Sequence, residues 1–140
     1  MTQATPAGPL EVGQELFHRR FDVDRDRLVR YAGASGDFNP IHYNDAAAAD
    51  AGLPGVLAHG MLTMGLGASA LADWAGDPGA VASYGVRFTR PIVVPAHGSV
   101  EVVVGGTVGD VDDDTVRVDL RVTSGGTTVL AKAQATVRRR

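Results

Sequence analysis

The stretch His59–Trp74, HGMLTMGLGASALADW, decides the fold. Met61, Leu62, Met64, Leu66, Ala68 and Leu71 leave no polar face along it. An apolar run of this length reads as a helix, and a helix apolar all round must be covered on all sides. Gly60, Gly65 and Gly67 lower its intrinsic helicity. They also permit close approach of another backbone, which suits a helix wrapped by a sheet.

Beyond this run the period changes from helical to alternating. Tyr84, Val86 and Phe88 alternate with Gly85, Arg87 and Thr89. Val100, Val102 and Val104 follow, and Val116, Val118, Leu120 and Val122 alternate with Arg117, Asp119, Arg121 and Thr123. Ala131, Ala133, Ala135 and Val137 alternate with Lys132, Gln134 and Thr136. Period two with one wet face predicts half-buried strands. The intervening turns, Gly109 to Asp114 and Ser124 to Thr127, are short, so the strands pair as antiparallel hairpins. One apolar helix followed by an antiparallel meander is most simply buried by curling the sheet around the helix. That is the α+β hotdog arrangement.

Upstream, Glu15 to Val23 reads as a strand. Asp24 or Asp26 is placed to cap a helix running to about Gly33, with Leu28, Val29 and Ala32 on one side. Ser35 to Asp45, rich in Gly, Asp, Asn and Pro, reads as a loop, and Ala46 to Ala51 as a short helix ended by Gly52 and Pro54. Residues 1–140 are expected to form one domain, with residues 1–9 as a loose tail and the closing Arg138 to Arg140 as a solvated, frayed end.

Net charge is −3 and cysteine is absent. The first disfavours nucleic-acid binding. The second removes disulfides and thiolate chemistry and fits a reducing, cytoplasmic compartment. Met1 to Pro9 lacks the basic and apolar regions of a signal peptide. Ala51 to Ala72 has no charged residue, but its five glycines and Pro54 fit a loop and buried helix, so no membrane span is expected.

The chemistry lies in Tyr31-Ala-Gly-Ala-Ser-Gly-Asp-Phe-Asn-Pro-Ile-His42. It gathers a carboxylate, Asp37, a carboxamide, Asn39, and an imidazole, His42, on six residues of loop. Eliminating water from a 3-hydroxyacyl thioester needs a base at C2 and an acid at the C3 hydroxyl. An Asp/His pair supplies both, in either assignment. Asn39 is placed to hold the loop or the substrate through its amide. If the apolar helix starts near Gly60, its first N–H groups lack intrahelical partners and face incoming negative charge. The Gly60 N–H is then a donor for the thioester oxygen as that oxygen gains charge.

The run Tyr31 to His42, with Ala48 six positions past the histidine, resembles the signature of the MaoC-like, or hydratase 2, family. His59 to Met64, Asp77 to Val81 and Val86 to Thr89 resemble the catalytic subunit of actinobacterial type II fatty-acid-synthase dehydratases. The resemblance spans about Phe17 to Val137. It implies a hotdog dimer acting on (R)-3-hydroxyacyl or trans-2-enoyl thioesters of CoA or acyl carrier protein, with no cofactor. It also implies Asp37 and His42 as catalytic residues, Asn39 as their orienting neighbour and Gly60 as oxyanion donor. Some family members carry a Ser hydroxyl eight positions after that glycine; here Ala68 stands there, with Ser69 beside it.

Plainer roles exist for these residues. Asp37 and Asn39 are common turn formers. His59 reads as a cap or orienting group at the helix start. Met61, Met64, Trp74, Tyr84 and Phe88 read as core, and Arg87 and Arg90 as a solvated strand face. Asp37 and His42 lack the further ligands of a metal site, so none is expected. Two rival functions follow. The chain can be one half of a heterodimer with a second hotdog subunit, silent alone. It can also be a hotdog thioesterase, although Met61 to Ala72 offers no carboxylate for hydrolysis.

Overall fold

Strand β1, Glu15–Val23, opens the fold in a computed structural model that describes residues 8–139. The tail expected over residues 1–9 lies outside the described residues, apart from Gly8 and Pro9. Helix α1, Arg25–Ser35, follows β1 directly because the Asp24 carboxylate caps it, accepting from the Arg27 N–H at 2.8 Å. Gly36 ends α1 in the left-handed region at φ 77°, a conformation that suits glycine. Leu28 and Ala32 are buried as expected, whereas Val29 is exposed.

A single 3-10 turn, Pro40–His42, interrupts the loop, and the short helix α2, Asp45–Asp50, is capped by Asn44. The apolar run forms α3, Gly60–Ala75. Strands β2 (Val81–Phe88), β3 (Val100–Val111), β4 (Thr115–Ser124) and β5 (Thr127–Arg138) complete the chain. The five strands form one antiparallel sheet in the order β1-β3-β4-β5-β2. The sheet curls around α3, giving the α+β hotdog fold. The core joins Leu62, Leu66, Ala70 and Leu71 of α3 to Val102, Val104, Val118 and Leu120 of the sheet.

Three expectations need correction. First, α3 is not covered all round. Met61, Gly65, Ser69 and Asp73 recur every fourth residue, share one face, and are exposed; Met61 keeps 59% of its surface. Met61 and Gly65 do not mark that face as wet; Ser69 and Asp73, at the same spacing, do. Second, the alternation of β5 breaks at Lys132, which has φ 47°. Arg87 pairs with Ala131 but Gly85 with Gln134, so β5 bulges there and its buried positions change phase from Leu130 to Ala133. Third, Arg138 and Arg139 are tied down, while Arg140 lies outside the described residues. Arg138 donates to the Gly79 carbonyl, and Arg139 donates to the carbonyls of Asp112 and Asp114.

Among the described residues no helix is long and apolar enough to cross a membrane.

Candidate active site

The loop after α1 is built by its own side chains. The Ser35 hydroxyl accepts from the Asp37 N–H at 3.1 Å, Asp37 Oδ1 from the Asn39 N–H at 3.2 Å, and Asn39 Oδ1 from the Ile41 N–H at 3.2 Å. Each bond is a local turn that competes with helix, which is why the chain leaves α1 here. Asn39 thus caps the 3-10 turn carrying His42, and its N–H occupies one oxygen of Asp37. The other, Oδ2, lies 3.9 Å from His42 Nε2.

His42 reaches that position because its turn is stitched to the segment before α3. The Leu57 N–H donates to the Ile41 carbonyl at 3.1 Å, and His42 Nδ1 lies 2.7 Å from the Leu57 carbonyl. A carbonyl only accepts, so Nδ1 carries the hydrogen and neutral His42 presents an unprotonated Nε2 toward Asp37. The segment is anchored in turn by Ala58 N–H to Ile92 carbonyl and Val94 N–H to Val56 carbonyl, both 2.9 Å. The Asp37 side chain is 52% exposed and the His42 side chain 11%.

His42 lines a cleft of about 370 Å³ together with Leu57, Ala58, Gly60, Thr63 and Phe88. Its wall is mostly apolar, with the first turn of α3 at its side. Helix α3 begins at Gly60, as the sequence suggested, so the Gly60 N–H is among its free donors. A Cβ on Gly60 would stand 3.0 Å from Phe88 Cε1. Phe88, read as core, is 53% exposed. Arg90 is exposed yet also lines the cleft.

Ser69 does not replace the hydroxyl absent at Ala68. It lines a separate groove with Phe21, Tyr31 and Leu66. Thr63 is the hydroxyl-bearing residue on the cleft side of α3 nearest in sequence to Gly60, a position the sequence reading passed over.

His59, expected as a cap or orienting group, is the other residue beside the pair. It stands at the N-cap of α3 but gives the helix no side-chain cap bond. Its ring is 1% exposed and stacks on His42 with centroids 3.9 Å apart. Its Nε2 lies 3.1 Å from the Asp37 carbonyl. Burial holds the His59 imidazole below its ordinary 6.5, and the His42 charge adds to that; the Asp37 carbonyl and carboxylate oppose it. Among the described residues, Asp37, His42 and His59 are the group whose ligand-type atoms approach within 4.8 Å of one another. Two of the four imidazole nitrogens in this group are already committed to backbone carbonyls.

Residues 9–126 match the model of the family described as MaoC like domain. Over 80 residues the chain is 45% identical to 3-hydroxyacyl-thioester dehydratase X of Mycobacterium tuberculosis, a match covering 56% of this chain and 27% of that protein. A solved MaoC-like dehydratase superimposes with a TM-score of 0.90 at 41% identity, over 94% of this chain and 41% of its own. The R-hydratase PhaJ1 of Pseudomonas aeruginosa superimposes with a TM-score of 0.83 at 28% identity, over 98% and 87% of the two chains. The chain therefore spans less than half the length of the first two relatives.

Proposed function

Because this chain belongs to the MaoC like domain family, we propose that it interconverts (R)-3-hydroxyacyl and trans-2-enoyl thioesters by removing or adding water. The observation that carries this reading is the 3.9 Å approach of His42 Nε2 to Asp37 Oδ2 beside a cleft walled by the start of α3. The dehydratase named among its relatives and the R-hydratase of like fold support the same class of substrate.

In the dehydrating direction His42 Nε2 takes the proton from C2, and the electrons of that C–H bond enter the C2–C3 bond. The C3–O bond breaks as Asp37 passes a proton to the departing oxygen, which leaves as water. The pair then holds one proton, on His42, and that proton returns to Asp37 across the 3.9 Å gap. Hydration runs the same steps in reverse. The Gly60 N–H, at the positive end of α3, meets the thioester oxygen as charge builds on it, an interaction worth about 3 kcal/mol of barrier in comparable sites. Asn39 serves by fixing the turn that joins the two catalytic residues.

The acyl carrier is CoA or acyl carrier protein, and the working form is a homodimer or a heterodimer with a second hotdog subunit, in the cytoplasm. Hydration of crotonyl-CoA, followed by loss of the enoyl-thioester ultraviolet absorbance, tests the reading. Asp37→Asn and His42→Ala should each abolish most of the activity; full activity in either sinks the assignment. Light scattering on the purified chain separates the assembly states. An inactive homodimer rescued by a companion hotdog protein identifies the heterodimer. Release of free thiol from acyl-CoA would instead identify a thioesterase. The carboxylate on α3, Asp73, is engaged by Arg19.

A further inference from the structure

His59 carries an unexplained penalty. Its Nε2 faces the Asp37 carbonyl, which only accepts, so Nε2 bears the hydrogen and Nδ1 is left with a lone pair. That Nδ1 is buried and has no hydrogen-bond partner among the described residues. Leaving a buried acceptor unsatisfied costs about 1–3 kcal/mol. The helix that His59 begins gains nothing in exchange, since the side chain makes no cap bond. Its directed contacts go instead to the Asp37 loop, the 3-10 turn and α1. The ring stacks on His42 at 3.9 Å and 22°, takes the edge of Tyr31 at 4.7 Å and 64°, and holds the Asp37 carbonyl.

We propose that His59 is the positioning residue of the Asp37–His42 pair: its Nε2–H fixes the Asp37 backbone and its ring face fixes the His42 imidazole, so that His42 Nε2 stays turned to the Asp37 carboxylate. The role rests on the catalytic reading of that pair. His59 itself transfers no proton and touches no reacting atom. Two catalytic groups on an exposed loop need such a support, because their approach is set by neither a helix nor a strand. One rigid ring reaching both residues couples their positions.

The role requires a neutral ring. The titratable groups facing His59 are Asp37 from the loop, His42 from the 3-10 turn and Tyr31 from α1. When His42 carries the proton taken from C2, a second cation stacked on it would be repelled. Burial of His59 lowers its proton affinity, which favours the neutral ring.

Two variants and one measurement on the unaltered chain test the proposal. His59→Leu keeps the bulk and removes the donor. It should lower kcat for crotonyl-CoA hydration about 10²-fold, the scale of a small misplacement of catalytic groups. KM should change by less than about threefold, since no substrate contact is lost. His59→Gln supplies a planar amide whose N–H can reach the Asp37 carbonyl, and should recover most of kcat. In the wild type, ring-nitrogen NMR at pH 7 should find His59 neutral and protonated on Nε2 alone.

Three results overturn the role: a folded His59→Leu with kcat within about twofold of wild type, a folded His59→Gln no better than folded His59→Leu, or a His59 that is charged, or protonated on Nδ1 alone, at pH 7. The NMR result decides even if both variants fail to fold. Fully active Asp37→Asn or His42→Ala would instead remove the catalytic reading itself. Inactive pair variants beside a fully active His59→Leu would remove only the role of His59.

Discussion

The Tyr84 hydroxyl donates to the Met64 carbonyl at 3.0 Å and lies 2.5 Å from where a Cβ on Gly67 would stand. Strand β2 thus meets α3 at a glycine because a phenol needs the space. Burial pushes the Tyr84 phenol up to about 12, so it remains a donor throughout the neutral range. Gly67→Ala should lower stability by about 1–3 kcal/mol through overpacking. Gly65→Ala, with nothing within 4 Å of its Cβ, should raise stability by up to about 1 kcal/mol through helix propensity. Adding Tyr84→Phe to Gly67→Ala should recover part of the loss, and urea unfolding of the wild type, Gly67→Ala, Tyr84→Phe and the double variant measures the coupling.

Gly67 also shows how far the sequence was legible. Glycines in an apolar helix signalled close approach, but not that a side chain, Tyr84, was the neighbour. The alternation of β4 was plain because valine and leucine face the helix at every second position, whereas Val103, between Val102 and Val104, blurs that of β3. The break in β5 was not, since a lysine in the left-handed region has no sequence mark. The Asp37–His42 motif could be read as residue types in a loop. Their 3.9 Å approach could not, because it depends on Leu57, fifteen residues past His42, accepting from its Nδ1. The contacts of His59 were hidden for the same reason: they run to Asp37, His42 and Tyr31, none of them near it in sequence.

Lys132 should tolerate glycine unusually well. At φ 47° an L side chain is strained by about 1–2 kcal/mol. Glycine relieves that strain but loses about 0.5–1 kcal/mol of backbone entropy on folding. Lys132→Gly should therefore leave the melting temperature unchanged or raise it. Lys132→Val, β-branched, should lower it, as chemical unfolding would also register. A melting temperature that falls with glycine and rises with valine would show that the bulge is not strained.

Acid should loosen the fold through His59. Its folded proton affinity lies below the ordinary 6.5, so between those two values the unfolded chain binds more protons than the folded one. Stability then decreases as pH falls from 6.5, and above 6.5 the residue is neutral in both states and contributes no slope. His59→Gln cannot titrate. Its melting temperature should decline less steeply than that of the wild type over the same interval, as scanning calorimetry at several pH values would measure.

Gly60→Ala should separate binding from folding. The added Cβ meets Phe88 at 3.0 Å, but Phe88 is largely exposed and can swing by a few tenths of an ångström. Stability should change by no more than about 0.5 kcal/mol. The cleft, which both residues line, narrows beside the helix N-terminus. KM for an enoyl thioester should therefore rise while the melting temperature stays fixed. An unchanged KM would place the substrate away from this wall.

The pair itself should behave as one unit. His42 and Asp37 share a single proton in the proposed cycle, and neither can complete the step without the other. Asp37→Asn and His42→Ala should each lower kcat by about 10²–10⁴-fold. If the two acted separately, the double variant would lose the product of those factors. For groups acting together, removing the second after the first costs little more. The double variant should then retain about the activity of the weaker single variant, supplied by binding in the cleft and by the Gly60 N–H. Steady-state kcat for the four chains, with folding checked by circular dichroism, makes the comparison. A multiplicative loss would mean that the 3.9 Å approach of the two side chains is not a catalytic partnership.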